Sequence, residues 1–213
     1  MDFTFQIDKT LSDKILNHQS TSSVIPHVTR YNLQSTIFYK INLSSNNLRG
    51  NTMLQYLPFL LAKYQDNILC RCGGTMEFKC LLLKLIEIKP TWEQMQLLLS
   101  SITKATMRNK CWKYLYVLLV VYLRIQYHFI TAEISEQHTD LVRWFEDGYS
   151  RYNKFKSVKF DLDVSDKSLQ LDNADTVTIY HIDELIDWLL TQRNIWGIPL
   201  GNSTWIKEVD EII

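Results

Sequence analysis

The most apolar part of the sequence is a run of ten residues without a charge, Tyr114 to Leu123, bounded by Lys113 and Arg124. As an α-helix this run would extend about 15 Å, which is half of the roughly 30 Å hydrocarbon core of a bilayer. We therefore predict a helix that is buried in a protein core and does not span a membrane. The start of the chain has no basic segment followed by an apolar one, so no secretory signal is predicted.

Composition favours helices for the rest of the chain. Gly and Pro number only 6 and 4 among 213 residues, which argues against a glycine-rich catalytic scaffold and against a β-sandwich with many turns. Hydrophobic residues make up 46% and charged residues 22%, so disorder is a poor description of the whole chain. We predict a mainly α fold, namely a single multi-helix domain with a small antiparallel β-hairpin before the last helix.

Helical spacing of apolar residues predicts where the helices lie. They cover about residues 28–41, 53–64, 76–88, 92–99, 110–129, 137–155 and 182–190. Pro58 lies inside the second of these segments and predicts a kink or two short helices, because proline removes a backbone hydrogen bond. Thr91 and Gln94 predict a capping box, and His181 is expected to cap the last helix.

The period of the apolar residues changes after the helix predicted over 137–155. Val158, Phe160, Leu162 and Val164 alternate with charged residues, which predicts a half-buried strand. A second strand is predicted around residues 177–179. Together they form the expected hairpin.

The domain boundaries are predicted from composition. Residues 1–25 are expected to form an extended arm, 26–205 the helical domain and 206–213 a short acidic tail. Trp196 and Trp205 flank a segment that contains Pro199 and two glycines, so it cannot continue the last helix. We expect Trp196 to fold back onto the domain, and Trp205 to bind a partner.

Charge is balanced overall but unevenly distributed. The 23 basic and 23 acidic residues divide into 15 and 7 over residues 1–130, and 8 and 16 over residues 131–213, which gives +8 and −8. A basic cluster around one inter-helix loop contains Lys104, Arg108, Lys110 and Lys113. It supports an alternative in which the chain binds RNA directly and loses affinity steeply with salt. Two solvated patches without a function explain the same charges.

Catalytic motifs are scarce. The sequence has no G-x-G-x-x-G, no Walker lysine loop, no H-E-x-x-H and no G-x-S-x-G. Ser101 and Lys104 match S-x-x-K without its companion motifs, and Asp161 and Asp163 would share the solvent face of a strand. We predict that the protein is not an enzyme.

The cysteines do not predict a metal site. Cys70, Cys72 and Cys80 could offer three thiolates to zinc, but the first pair is too close for the usual knuckle and no fourth ligand follows nearby. Cys80 also lies in an apolar helix, where a free cysteine behaves as a small hydrophobic residue. Free thiols without a secretory signal favour a reducing compartment, and no cofactor or metal is expected.

Five segments together resemble the pre-mRNA-splicing factor 38 family, in the order and spacing of its fungal members. They are Asn47–Asn51, Gly73–Gly74 with Glu77–Pro90, Lys113–Tyr116 with Tyr122–Arg124, His181–Asp187 and Ile195–Gly201. The resemblance covers roughly residues 24–205.

The resemblance implies a nuclear protein of the spliceosomal tri-snRNP that is needed at the activation step of the spliceosome. It implies a helical scaffold without catalysis, and two partners: a zinc-finger splicing protein and a long-helix protein of the microfibrillar-associated type. Whether snRNA is also contacted inside the particle is left open.

Several charged residues are predicted to bind partners. Arg49 and Asn51 lie at a turn, and Glu77 and Lys84 are lone charges on a mostly buried helix. Asp183, Glu184 and Asp187 are expected to form an exposed acidic face. The alternatives are an internal ion pair or cap for Arg49 and Glu77, and compensation of the helix dipole for Asp183 and Glu184.

Overall fold

The structure is a computed structural model that describes residues 15–16, 19–20, 25–47, 52–105, 111–126, 136–161 and 177–200. Helices account for most of these ranges, which confirms the mainly α class. The α-helices are α1 His27–Ser35, α2 Ile37–Asn42, α3 Met53–Asp66, α4 Met76–Ile88, α5 Trp92–Ala105, α6 Trp112–Gln126, α7 Glu136–Tyr149 and α8 Ile182–Thr191. A 3₁₀ turn, Leu69–Arg71, joins α3 to α4.

The strands form three short antiparallel pairs. They are β1 Ile15–Leu16 with β2 Gln19–Ser20, β3 Lys154–Val158 with β4 Val177–His181, and β5 Asn194–Ile195 with β6 Ile198–Pro199. In the longest pair, Lys154 is opposite His181 and Val158 is opposite Val177. This pair is the hairpin that the sequence predicts before the last helix.

The two most apolar segments of the sequence form the centre of the molecule. In α6 every residue from Tyr114 to Gln126 is buried, and in α4 every residue from Phe78 to Ile86. Helix α4 packs against α1, α2 and α6, while α6 also packs against α5 and α8. The predicted burial of residues 114–123 is therefore confirmed. Among the helices of the described ranges, none combines the length and hydropathy that a membrane crossing requires.

Side-chain caps fix where the central helices begin. The Thr75 hydroxyl accepts a hydrogen bond from the Phe78 N–H at 3.3 Å, so α4 begins at Met76. The predicted capping box of α5 is confirmed, because the Thr91 N–H donates to Gln94 Oε1 at 3.1 Å and the Gln94 N–H to Thr91 Oγ1 at 3.4 Å. Each cap satisfies amide groups that have no partner within the helix.

The helix predicted over 137–155 is too long, and the strand predicted from Val158 begins too late. Helix α7 ends at Tyr149, and β3 starts at Lys154. Phe155 continues the helical spacing of α7 in the sequence, but it also occupies an inward position of β3 between exposed Lys154 and Lys156. Pairing with β4 decides between the two periods.

Two further helix predictions are corrected in detail. The segment predicted as one helix over 28–41 is two helices, because Thr36 adopts extended backbone and its hydroxyl accepts the Tyr39 N–H at 3.2 Å. Of the two outcomes predicted for Pro58, a division into two short helices is wrong, because α3 is a single helix with Pro58 on its exposed side. On that side water can satisfy the carbonyl that loses its partner.

Candidate functional site

The segment after α8 folds back onto the domain through Trp196. The Trp196 side chain is fully buried, and its Nε1–H donates to Ser157 Oγ at 3.0 Å. Its ring meets Phe78 of α4 edge to face, with 5.2 Å between ring centroids. The prediction that Trp196 packs into the core is confirmed. Trp205, predicted to bind a partner, lies outside the described residues.

Gly73 and Gly74 make room for the Trp196 ring. A β-carbon on Gly73 would lie 2.8 Å from Trp196 Cζ2, and one on Gly74 would lie 2.4 Å from both Trp196 Cδ1 and Val158 Cγ2. Gly74 also has a φ of +80°, which side chains rarely adopt. Two of the segments that carry the resemblance, the glycine pair and 195–201, therefore pack on one another.

Arg124 belongs to a third segment that carries the resemblance, and it connects that segment to the region around Trp196. Its guanidinium is fully buried and donates from Nε to the Leu189 carbonyl at 2.7 Å and from Nη1 to the Leu200 carbonyl at 2.8 Å. Leu189 is near the end of α8, and Leu200 follows β6. The arginine thus holds the last helix and the returning segment together from the central helix α6.

An open groove of about 540 Å³ lies beside the first two turns of α8. Four carboxylates and four aromatic rings line it: Asp161, Asp183, Glu184 and Asp187, with Tyr149, Phe160, Tyr180 and Trp188. No lysine or arginine is among these residues. The volume of the groove is typical of a ligand site. We call this surface the acidic groove.

The aromatic part of the acidic groove is fixed to the core. Phe160 is buried and stacks on Tyr180, with ring centroids 4.1 Å apart and 22° between the planes. The centre of the Phe160 ring also lies 5.0 Å from the ring centre of Trp188 and 5.9 Å from that of Trp196. The Trp188 Nε1–H donates to the Asn194 carbonyl at 3.0 Å. The rings are therefore held in place by the same packing that buries Trp196.

Close packing of α7 on α8 brings Tyr149 to the groove. A β-carbon on Gly148 would lie 2.7 Å from Ile186 Cγ1, so only glycine allows the two helices this approach. Tyr149 follows directly at the end of α7. His181 is the N-cap residue of α8, as predicted, and its backbone N–H donates to Glu184 Oε2 at 2.6 Å.

The structure brings the predicted acidic residues together on one surface. Asp187 and Glu184 are exposed, and Asp183 is half-buried with an Oδ1 atom that is shielded from water and accepts no hydrogen bond from the residues that the structure describes. Glu184 also caps the helix, so the dipole interpretation and a binding role coexist in one residue. Tyr149 and Tyr180 were not predicted as site residues, because both match apolar stripes in the sequence. The position of the hairpin directly before α8 is a signal that identifies Tyr180.

Glu77 and Lys84 do not form one surface with these residues. Lys84 is fully buried, which argues against the predicted contact with a partner. Its Nζ lies 3.3 Å from Glu87 Oε2 but makes no well-aligned hydrogen bond within the described part of the chain. Burial lowers the pKa of Lys84, and the Glu87 carboxylate opposes that shift. Glu77 is half-buried in the first turn of α4. Arg49, the ion partner of Glu77 in the alternative interpretation, and Asn51 lie outside the described residues.

Glu87 is the centre of a polar cluster between α4 and the first two helices. The Tyr39 hydroxyl donates to its carboxylate at 2.8 Å, and Gln34 Nε2 donates to Oε1 at 3.3 Å. Burial, followed by the Glu87 charge, raises the pKa of Tyr39. The cluster fixes α1 and α2 on α4 and uses the Lys84 charge inside the domain.

The basic cluster predicted for RNA is described only in part. Lys113 is half-buried, and its ammonium donates to the Lys154 carbonyl and lies 5.2 Å from the centre of the Tyr114 ring. Arg108, Lys110 and the side chain of Lys104 lie outside the described part of the structure. The RNA interpretation stays a prediction.

The cysteines considered for zinc are all buried. Burial raises the pKa of Cys70 to about 12, of Cys72 to about 11 and of Cys80 to about 12, so these thiols keep their protons at neutral pH. Among the described residues, no three His, Cys, Asp or Glu side chains come together as a metal site requires. Ser101 lies on α5, while the Lys104 side chain and Asp163 lie outside the described residues, so the structure does not test the two pairs that the sequence offered as weak candidates for chemistry.

Comparison with known proteins gives concordant results. A family model described as the PRP38 family matches residues 14–211. Pre-mRNA-splicing factor 38 of Saccharomyces cerevisiae (strain ATCC 204508 / S288c) is 37% identical over 213 residues, which covers 95% of this chain and 86% of the yeast protein. The fold resembles a chain in the crystal structure of the Snu23-Prp38-MFAP1(217-258) complex of Chaetomium thermophilum. That alignment has a TM-score of 0.60 at 14% identity and covers 92% of this chain and 84% of that one.

Proposed function

Because the chain belongs to the PRP38 family, we propose that it is a nuclear, non-enzymatic scaffold of the spliceosomal tri-snRNP that binds other splicing proteins at the activation step. The observation that carries the proposal is the 37% identity to a yeast splicing factor over 95% of the chain. A match of this extent includes the central helices and the segment that returns over them. The family is one of splicing factors, not of enzymes.

The partners are proposed from the related complex. A chain with this fold occurs in a complex with Snu23 and MFAP1. We propose that this protein likewise binds a zinc-finger splicing protein and a long-helix protein of the microfibrillar-associated type. The acidic groove supports such a role, because it is an open concave surface. Four carboxylates line it, and no lysine or arginine is among its lining residues to neutralise them.

The proposed partner-binding residues fall into two groups. Asp183, Glu184 and Asp187 lie at the acidic groove. Arg49, Asn51 and Trp205 remain proposals from the sequence, and Glu77 is a weaker one because it is half-buried. Lys84 is no longer included.

Depletion of the protein from a splicing extract of its own organism tests the activation step. We expect spliceosomes to assemble with the tri-snRNP and then to stop before the first cleavage of the pre-mRNA, and we expect added recombinant protein to restore splicing. A block before tri-snRNP recruitment, or normal splicing after depletion, would contradict the proposal. Mock-depleted extract is the control.

Direct RNA binding is kept as the alternative and rests on Lys104, Arg108, Lys110 and Lys113. Since the Lys113 ammonium donates to a backbone carbonyl, fewer of its N–H groups are available to phosphate. This alternative predicts that the isolated chain binds RNA at low salt with an affinity that falls steeply as salt is raised.

A further inference from the structure

The acidic groove combines two kinds of wall that favour an organic cation. Its carboxylates, from Asp161, Asp183, Glu184 and Asp187, are accompanied by the rings of Tyr149, Phe160, Tyr180 and Trp188. Carboxylates attract a positive charge, and aromatic faces attract it through their quadrupole. A cation that is itself partly apolar uses both.

A metal ion does not fit this arrangement. The carboxylates are spread along the groove, and in the described part of the chain no three of them, alone or with His or Cys, are close enough to hold a metal. Half of the residues that line the groove are aromatic, and their rings offer no oxygen ligand suited to a hard cation. The occupant must therefore be larger than a bare ion.

Nucleic acid does not fit the groove either. Among the described residues that line the groove, a phosphate backbone would meet four carboxylates and no lysine or arginine. The chain between Asp161 and Val177 adds four aspartates against one lysine, so its sequence does not supply the missing positive charge. The same stretch, residues 162–176, is acidic and is therefore not a segment that could itself occupy the groove. Charge complementarity thus points to a basic segment of another protein.

Arginine matches the groove better than lysine does. A guanidinium is planar, stacks on aromatic rings and donates two parallel hydrogen bonds to one carboxylate, whereas an ammonium is a compact and strongly hydrated charge. Asp183 and Asp187 stand one turn apart on α8, so their β-carbons are about 5–6 Å apart and two arginines could be bound together.

From this geometry we infer that the acidic groove binds an arginine-bearing segment of a partner protein, with Asp183 and Asp187 accepting the guanidinium hydrogen bonds and Tyr180 and Trp188 contacting the guanidinium planes. The inference rests on the proposed scaffold function and specifies the chemistry of one of its contacts. It assigns no catalytic step to the groove.

The test uses the full chain and a short fluorescent peptide with two arginines one helical turn apart, followed by fluorescence anisotropy at low salt. We expect saturable binding, weaker binding when both arginines are replaced by lysine, and none when both are replaced by glutamine. The double variant Asp183→Asn/Asp187→Asn keeps the shape of both side chains and should weaken binding at least about tenfold, because charge-assisted hydrogen bonds are lost.

Asp66→Asn is the matched control, since it removes the same charge from an exposed residue that does not line the groove. Its affinity for the arginine peptide should equal that of the wild type. Circular dichroism should show the same helix content in all variants. In an NMR titration, the indole N–H resonance of Trp188 should shift on addition of the peptide.

Three results would overturn the inference: no binding by the wild type, equal affinity in the double variant, or an equal loss in Asp66→Asn, which would indicate unspecific attraction. An RNA oligonucleotide that loses affinity in the double variant while the peptide does not would assign the groove to nucleic acid. If tagged wild-type protein recovers splicing proteins but binds no arginine peptide, only this inference fails. If it recovers no splicing proteins, the scaffold function fails.

Discussion

Trp196 shows how one residue joins several distant parts of the chain. Its indole lies on the backbone of Gly73 and Gly74, contacts Phe78 of α4 and donates to Ser157 of β3. Its own backbone is in the left-handed region, with a φ of 53°. A tryptophan tolerates this conformation only where its packing compensates the strain.

We predict that Trp196→Ala lowers the free energy of unfolding by about 3–5 kcal/mol, because a large buried side chain and its hydrogen bond are lost. Trp196→Phe fills part of the space and should cost clearly less. Urea unfolding followed by circular dichroism measures both. A loss below about 1 kcal/mol for Trp196→Ala would contradict the packing described here. Trp205→Ala should leave the unfolding of the isolated chain almost unchanged.

Lys84 and Glu87 should respond differently to substitution. Lys84→Met leaves the Glu87 carboxylate without its cation but with the hydrogen bonds from Tyr39 and Gln34, so it should cost only about 1–2 kcal/mol. Glu87→Gln leaves the buried ammonium unpaired and should cost about 3 kcal/mol. Urea unfolding of the two variants at neutral pH tests this, and equal losses would show that Lys84 is not buried as described.

At the scale of elements, the sequence predicts regular helices well and the hairpin less well. The bounds of α4 are predicted residue for residue from its apolar positions, and the Thr75 cap in the structure begins the helix at the same residue. The start of β3 is not predicted correctly. Phe155 satisfies both the helical and the strand period, and only pairing with β4 selects the strand.

The candidate site shows the same division between local and long-range information. The acidic residues of α8 could be predicted, because they follow one another in the sequence. The rings of Tyr149 and Phe160 could not be assigned to the groove, because the close approach of α7 to α8 and the turn after β3 bring them there.

Arg124 acts between elements, and its substitution should loosen the end of the domain first. In Arg124→Lys, the carbonyls of Leu189 and Leu200 lose two directed donors, and a single ammonium cannot replace the fork of the guanidinium. We expect a loss of about 2–4 kcal/mol. Hydrogen exchange should accelerate in residues 195–200 and at the end of α8 more than in α4. Uniform acceleration would contradict a local role for Arg124.

At the scale of the whole molecule, the core contains many protonated groups that can ionise. Burial raises the pKa values of Cys70, Cys72 and Cys80, and also those of Tyr56, Tyr64 and Tyr122. The folded chain therefore holds protons that the unfolded chain releases near pH 9 to 10. Their contribution to stability is complete below that range and is lost as the pH rises through it. Burial lowers the pKa of Lys84, so this one group makes stability rise with pH, against the combined effect of the six groups above.

We therefore predict that the free energy of unfolding falls steadily between about pH 9 and 11. Urea titrations at several pH values measure the slope. Cys70→Val removes one of the thiols. Relative to its own stability at pH 7, this variant should lose less free energy of unfolding over the same pH range than the wild type does. A stability that is constant up to pH 11 would mean that these groups are not buried.

In the proposed scaffold function, the exposed acidic groove contacts a splicing protein. Zero-length cross-linking of carboxylates to lysines in the purified particle, followed by mass spectrometry, locates that contact. We predict cross-links from Asp183, Glu184 or Asp187 to a splicing protein, next to arginine in its sequence. Recovery of splicing proteins with every cross-link on other surfaces, or recovery of none, would show that the groove is not the contact surface.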